Sequence, residues 1–253
     1  MAISFPTSLD NFTNPSSGNT LDSPSHSLQH SDINDAVEAL ERKIGVGTAV
    51  AGSASAGQVL TISAAGTSTW STPTAPGLVQ IVPSSVTVGS GSGSVDANGA
   101  ITFSGASSVS VNDVFSASYD NYYLVGNLSA TGGDVYIRWR VGGADNSTSN
   151  YQYGLARKDF GGATFINDTQ STTATLTFCA TNPGTNTTGF WRNINNPFAS
   201  QRTSSFGQTI SSSGYSYYDS HLFNATTSFT GFSLVMTSTY LTTGTIRLYG
   251  YRN

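Results

Sequence analysis

Hydrophobic positions along the chain follow two different periods. Over Ser31 to Gly45, SDINDAVEALERKIG, the apolar residues Ile33, Val37, Leu40 and Ile44 are spaced 4, 3 and 4 apart. That spacing predicts an α-helix with one narrow apolar stripe, two heptads of a and d positions. Ser31 or Asp32 can cap its start, and Asp32, Asp35 and Glu38 lie toward the positive end of the helix dipole. Arg42 and Lys43 fall in the last turn, and Gly45 can take the left-handed stop. About four turns are marginal alone in water, and the flanking chain is too polar to cover the stripe. The stripe therefore predicts that copies of the helix bundle together, as a homotrimer, or that the helix docks on another protein.

From residue 101 the period changes to two. In DVYIRWRV, Val135, Ile137, Trp139 and Val141 point one way and Tyr136, Arg138 and Arg140 the other. Val109 and Val111, then Leu176, Phe178 and Ala180, then Phe232, Leu234 and Met236 repeat the pattern. The closing GTIRLYGYRN places Ile246 and Leu248 inward and Arg247 and Tyr249 outward. Gly132-Gly133, Gly142-Gly143, Gly161-Gly162 and Asn182-Pro183-Gly184 mark turns. Antiparallel strands over this length predict a β-sandwich, jelly-roll-like, large enough to enclose a core. Cys179 is expected on a strand face, partly buried.

The remaining stretches have neither period. Residues 1–30 are polar, with Pro6, Pro15 and Pro24 and scattered Ile3, Phe5, Leu9 and Phe12, the pattern of an extended arm that orders on a partner. Residues 46–100 are small and polar and end in a Gly/Ser run, which reads as a light stalk or linker. The chain is thus expected to be mainly β. An attachment arm and short trimerising helix span 1–45, a light stalk spans 46–100, and a sandwich head spans 101–253.

Composition sharpens this picture. Charged residues are only 9 %, against roughly 25 % in ordinary globular proteins, while aromatics hold at 11 % with 27 glycines. A net charge of −4 without a basic cluster argues against nucleic-acid binding through phosphates. The single cysteine excludes an internal disulfide. No apolar run approaches the ~20 residues of a membrane span, so no membrane insertion is expected. The opening MAISFPTSLD has neither the basic nor the apolar region of a signal peptide.

Candidate chemistry is sparse. His26 and His30, four apart, could share a face and hold a metal on a threefold axis, but no cysteine or third histidine is near. Hydrogen bonding around the helix start is the plainer reading, and no metal or other cofactor is expected. The acids of the head, Asp113, Asp120, Asp134, Asp145, Asp159, Asp168 and Asp219, sit beside Asn, Gly, Ser or Tyr, as Asx turns do. Asp219, His221 and a nearby serine could imitate a hydrolase triad, yet no Gly-x-Ser-x-Gly elbow supports it. No enzyme is expected. Recognition has more support. SSSGYSYYDSHLF sets Tyr215, Tyr217 and Tyr218 beside Asp219 and His221, and GFWRNINNPF sets Trp191 and Arg192 among asparagines. Flat rings beside amides and carboxylates suit sugars. The alternative is that these aromatics pack strand ends or an oligomer seam.

SLDNFTNPSSGNTLDSPSHSLQHSDINDAVEALERKIG resembles the N-terminal region of tailed-bacteriophage virion proteins of the tail-fibre, minor-tail and structural kinds. GQVLTISAAGTSTW is similar to a stalk segment of phage fibres. VFSASYDNYYLVGNLSA and TGTIRLYGYRN resemble head regions of such proteins. The resemblance implies a trimeric virion protein made in a bacterial cytoplasm, attached to other virion proteins through residues 1–45, whose head meets a host-surface glycan. A capsid fibre or decoration protein with a structural role is the alternative, and a glycan depolymerase a weaker one.

Overall fold

Alternation of apolar and polar side chains turns most of the chain into antiparallel strands, because period-two residues can bury one face and solvate the other. The computed structural model describes residues 30, 33–35, 37–38, 40, 54–62, 66–73, 77–162, 165–180, 188–212, 214–236 and 241–252. They fall in two units, residues 1–75 and 76–253.

In the first unit, Ile33, Asn34, Asp35, Val37, Glu38 and Leu40 have helical backbone. Ile33 and Leu40 are 60 % and 55 % exposed, and Val37 is exposed with them. Ile44 and residues 1–29 of the arm expected over 1–30, His26 included, lie outside the described residues. The stalk-like segment forms a hairpin of β1 (Val59–Ile62) and β2 (Ser68–Ser71), with Leu60 opposite Trp70. Thr61 Oγ1 donates to the Thr69 carbonyl at 3.1 Å and lies 3.0 Å from Ser71 Oγ. Val59, Leu60 and Ile62 stay exposed. A lone hairpin is marginal in water.

The second unit begins with β3 (Leu78–Gln80), β4 (Ser85–Val88), β5 (Ser92–Val95), β6 (Ile101–Ala106) and β7 (Ser108–Asn112). The chain continues through β8 (Asn121–Ala130), β9 (Val135–Val141), β10 (Ala144–Asp145), β11 (Tyr151–Asp159) and β12 (Phe165–Ala174). It closes with β13 (Thr177–Ala180), β14 (Thr188–Asn195), β15 (Ser204–Ser211), β16 (Tyr215–Phe223), β17 (Gly231–Met236) and β18 (Leu241–Tyr251). Six strands form a smaller sheet in the order β10-β9-β17-β7-β4, with β13 also on β9. Ten form a larger sheet, β12-β11-β16-β15-β14-β8-β18-β6-β5, with β3 also on β18. All described pairings are antiparallel, as a sandwich requires.

One apolar cluster joins the sheets. Leu124, Leu128, Ile194, Ile246 and Leu248 of the larger sheet meet Val109, Val111, Ile137, Trp139, Phe232 and Leu234 of the smaller. Aromatic edges fill its centre: Phe115 and Tyr122 have centroids 4.8 Å apart, Phe223 and Phe229 4.9 Å. The buried Tyr hydroxyls are satisfied, as burial demands. Tyr122 Oη accepts from the Ser116 amide at 2.8 Å. Tyr151 Oη accepts from the Trp139 amide at 3.0 Å and donates to the Asn146 carbonyl at 2.8 Å. The DVYIRWRV alternation holds through Trp139, whereas Val141 turns out to solvent where the strand ends at Gly142-Gly143. Cys179 is fully buried, and burial first of all pushes its thiol up to about 12.

Residues 76–100 differ from the light linker expected there. They contribute β3, β4 and β5 to both sheets and belong to the second unit. Their polar look has a physical cause: these are short edge strands whose side chains are exposed or at most half-buried. Ile81, Val86, Val88 and Val95 pack half-buried against the core. A chain starting at residue 76 should therefore unfold cooperatively like the intact head. One starting at Ile101 should lose roughly 4 kcal/mol, about 1 kcal/mol for each of those four side chains. Chemical denaturation of the two truncations checks this; equal midpoints would place the boundary at 101 after all.

Candidate functional site

Strands β14, β15 and β16 carry the residues with the richest chemistry, and their register sorts these onto two faces. On the inner face, Arg192 stands opposite Gly207, and Gly207 opposite Asp219. Arg192 and Asp219 are thus two strands apart, about 10 Å between backbones. They meet because the strand between them offers a glycine there. A Cβ on Gly207 would lie 2.4 Å from the Trp191 carbonyl oxygen. The next inner row places Ile194, Ser205, His221 and Tyr153 side by side.

These rows build a buried ion cluster. Arg192 Nη1 lies 2.6 Å from Asp219 Oδ1 and 3.0 Å from His221 Nδ1. His221 Nε2 lies 2.9 Å from the same carboxylate oxygen. Arg192 Nη2 donates to the Cys179 carbonyl at 3.2 Å, and Ser205 Oγ lies 3.4 Å from His221 Nδ1. With the guanidinium donating to Nδ1, the imidazole proton belongs on Nε2, facing Asp219. Burial and then the Arg192 charge push His221 down to about 4, against the opposing pull of Asp219. For Asp219 burial pushes upward, but Arg192 and His221 together outweigh it and hold the carboxyl at about 2. The cluster is an Arg⁺–Asp⁻ pair with a neutral histidine.

Serine, histidine and aspartate in contact have the outline of a hydrolase triad. Here the guanidinium occupies the Nδ1 side, all the partners are buried, and a base this weak takes up little of a hydroxyl proton at neutral pH. The arrangement joins strands rather than presenting a nucleophile. Asp219 is therefore no turn residue, in contrast to the expectation for every head aspartate. It sits in mid-strand because its charge is paired.

The outer face of the same strands is different. One row runs Arg247, Val125, Trp191, Gln208, Tyr218 and Ala156 across β18, β8, β14, β15, β16 and β11. The next runs Tyr249, Tyr123, Asn193, Phe206, Ser220 and Gly154. Trp191 anchors a shallow aromatic surface. Its ring is 6.3 Å from Tyr123, tilted by 30°, and 6.2 Å edge-on from Phe206. Its Nε1 donates to Gln208 Oε1 at 3.3 Å, and Gln208 Nε2 in turn donates to Ser216 Oγ at 2.8 Å. Tyr251 Oη donates to Asn193 Oδ1 at 2.7 Å. Phe206 and Tyr218 are 45 % and 41 % exposed.

The seven residues expected to recognise a ligand are consequently divided. Trp191 and Tyr218 share the outer face. Arg192, Tyr217, Asp219 and His221 are buried on the inner one. Tyr217 packs with Leu155 and Phe178, and Tyr215 lies half-buried beside it, under the Arg157 guanidinium at 5.2 Å. The single exposed patch expected from SSSGYSYYDSHLF does not form, because that stretch is a strand and adjacent side chains point apart. Sequence reasoning missed Tyr123, Phe206, Gln208 and Tyr251, which come from three stretches far apart along the chain. Their only signal was outward parity, which for Tyr251 continues the alternation of GTIRLYGYRN and for Phe206 and Gln208 falls in a strand whose period is not evident. It also missed Gly207. Among the described residues, no group of three or more histidine, cysteine or acidic side chains is placed to hold a metal, and His30 is exposed.

Comparison with known protein families finds no match, and comparison with curated proteins finds none. Among solved structures the chain has a weak likeness to the binding domain of botulinum neurotoxin serotype G. The identity is 11 % over 77 % of this chain and 47 % of that one, at a TM-score of 0.20. A likeness at that level carries no argument.

Two outcomes follow for the ion cluster. Arg192→Met leaves a buried carboxylate without its cation and should destabilise the head by about 3–5 kcal/mol, while adding Asp219→Leu should recover much of that loss. Urea midpoints of the single and double variants test it; a double variant no better than the single would show that the cluster does not act as a pair. For pH, His221 and Asp219 both titrate lower in the fold than in the unfolded chain. The histidine contribution is complete above about pH 6.5 and is lost as pH falls toward 4. The aspartate contribution is complete above about 3.8 and is lost toward 2. Thermal melts should fall from pH 6.5 to 4 by an amount on the order of 3 kcal/mol, and His221→Asn should flatten that window.

Proposed function

We propose that the chain is a structural protein of a tailed-bacteriophage virion, a trimeric fibre or appendage that attaches by its N-terminus and binds host-surface glycan with its jelly-roll-like head. The observation that carries the recognition half is the outer face of the larger sheet. Phe206, Tyr218 and Tyr251 are exposed there, and Trp191 and Tyr123 half-exposed, beside Asn193 and Gln208. Aromatic faces take the CH faces of sugar rings, and amides take their hydroxyls. An exposed apolar patch beside polar groups is the usual mark of an interaction site.

The attachment half rests on the resemblance of residues 8–45 to virion attachment regions. Exposure of Ile33, Val37 and Leu40, and of the hairpin residues Val59, Leu60 and Ile62, supports assembly of the first unit with copies of itself. Short helices and single hairpins gain their stability from such packing. The buried, cation-capped state of His221 supports a binding protein over a hydrolase.

Virions carrying Phe206→Ala with Tyr218→Ala should retain the protein and lose at least about tenfold in host adsorption, the scale of removing aromatic anchors. Val37→Asp with Leu40→Asp should instead remove the protein from virions while the head still folds. Counting bound protein per particle and measuring adsorption rate separates the cases. Normal adsorption by the aromatic variant would overturn glycan recognition by this face and favour capsid decoration.

A further inference from the structure

The charge on the outer face is one-sided. Its first row ends in Arg247, which is exposed and has no hydrogen-bond or ion-pair partner among the described residues. The flanking row Thr245, Asn127, Gly189, Ile210, Ser216 and Lys158 adds a second cation, whose Nζ donates to the Gly162 carbonyl at 2.6 Å. None of the residues in these three rows, from β18 to β11, is an acid. The chain as a whole carries −4, so the sign of this face is opposite to that of the chain.

Arg247 and Trp191 stand two strands apart, about 10 Å between backbones, with the smaller Val125 between them in the same row. One pyranose ring lying against Trp191 and over Val125 would turn a ring substituent toward the guanidinium. An arginine fork matches a carboxylate in two parallel hydrogen bonds. In the row of Trp191 the one cation is Arg247, which balances a single negative charge, whereas a dianionic phosphate calls for more. We propose that this face selects acidic saccharides, with the sugar carboxylate held by Arg247 and the ring stacked on Trp191. This specificity rests on the glycan-binding reading above.

The test is a panel of hexuronate- and sialate-bearing oligosaccharides, each beside its carboxyl-reduced neutral counterpart, probed with the full chain. The acidic member of the preferred pair should bind about tenfold tighter at low salt, with the advantage shrinking at high salt because the charge is exposed. Arg247→Gln should bind both members equally, at the level of the wild-type chain on the neutral one. Trp191→Ala, confirmed as folded by its melting temperature, should lose both. A wild-type chain without preference, or an Arg247→Gln chain that keeps the preference, overturns the acidic specificity and leaves glycan binding standing. Binding to no member overturns both readings. A change of oligomeric mass in either variant would assign the face to contacts between copies of the chain and overturn the proposal.

Discussion

The hydrogen-bond ladder of the last strand holds the larger sheet in one piece. β18 pairs with β8 along one edge and with β6 and β3 along the other. Without it the sheet would divide into β12 to β8, the β5–β6 pair and an unpaired β3, leaving raw edges. Its inner residues Leu241, Ile246 and Leu248 are fully buried, and Gly244 lets the Phe103 ring approach so closely that a Cβ would lie 2.4 Å from it. The partners come from distant parts of the chain, Ile101 against Ile246 and Tyr123 against Tyr249. Closing such loops carries an entropic cost before the ladder repays it, so a topology of this kind folds slowly. It also places the C-terminal strand under the outer surface: Arg247 and Tyr249 occupy the rows that lead to Trp191.

Register in β14–β16 has a second constraint. The two faces of these strands carry similar loads of rings, with Tyr217 and Phe223 inside and Trp191, Phe206 and Tyr218 outside. Hydrophobicity alone specifies register weakly in such strands, since a slip of one residue exchanges one aromatic set for the other. The ion cluster supplies the missing discrimination. A slip of β16 would carry Asp219 into solvent, bring Tyr218 inward and strand Arg192 without its counter-charge. Buried ion pairs are poor sources of net stability, and register is where they are best used. Because Trp191 precedes Arg192 and Tyr218 precedes Asp219, fixing the charged residues inside fixes the aromatic ones outside.

The same arrangement explains what could be read from the sequence. β9, β17 and the end of β18 were legible because apolar residues recur at every second position, Val135, Ile137 and Trp139, then Phe232, Leu234 and Met236, then Ile246 and Leu248. β14 and β16 were not, because Arg192, Asp219 and His221 hold inner positions and erase the hydropathy period. SSSGYSYYDSHLF then reads as a polar loop, and its chemistry as one patch. Trp191 and Tyr218 were found for their residue type, whereas their partners Tyr123, Phe206 and Tyr251 depend on pairings between strands far apart in sequence. β4 and β5 were missed for the opposite reason. As edge strands they need few apolar residues, so Gly and Ser there looked like a linker.

The outer face lies mainly on central strands of the larger sheet, not on loops. Its side chains are tied to one another and to a backbone held on both sides, through Trp191 to Gln208 to Ser216 and through Tyr251 to Asn193. A surface of this kind loses little conformational entropy when it is covered, which favours affinity through preorganisation rather than closure. It is also shallow, because sheet side chains stand up from a common plane. Such a plane suits a ligand that lies flat and extends along the rows more than one that must be enclosed. For a saccharide chain, successive rings would meet Trp191, Phe206 and Tyr218 in turn. Each contact would be weak alone, so useful affinity would come from the length of the glycan and the number of rings it lays along the rows.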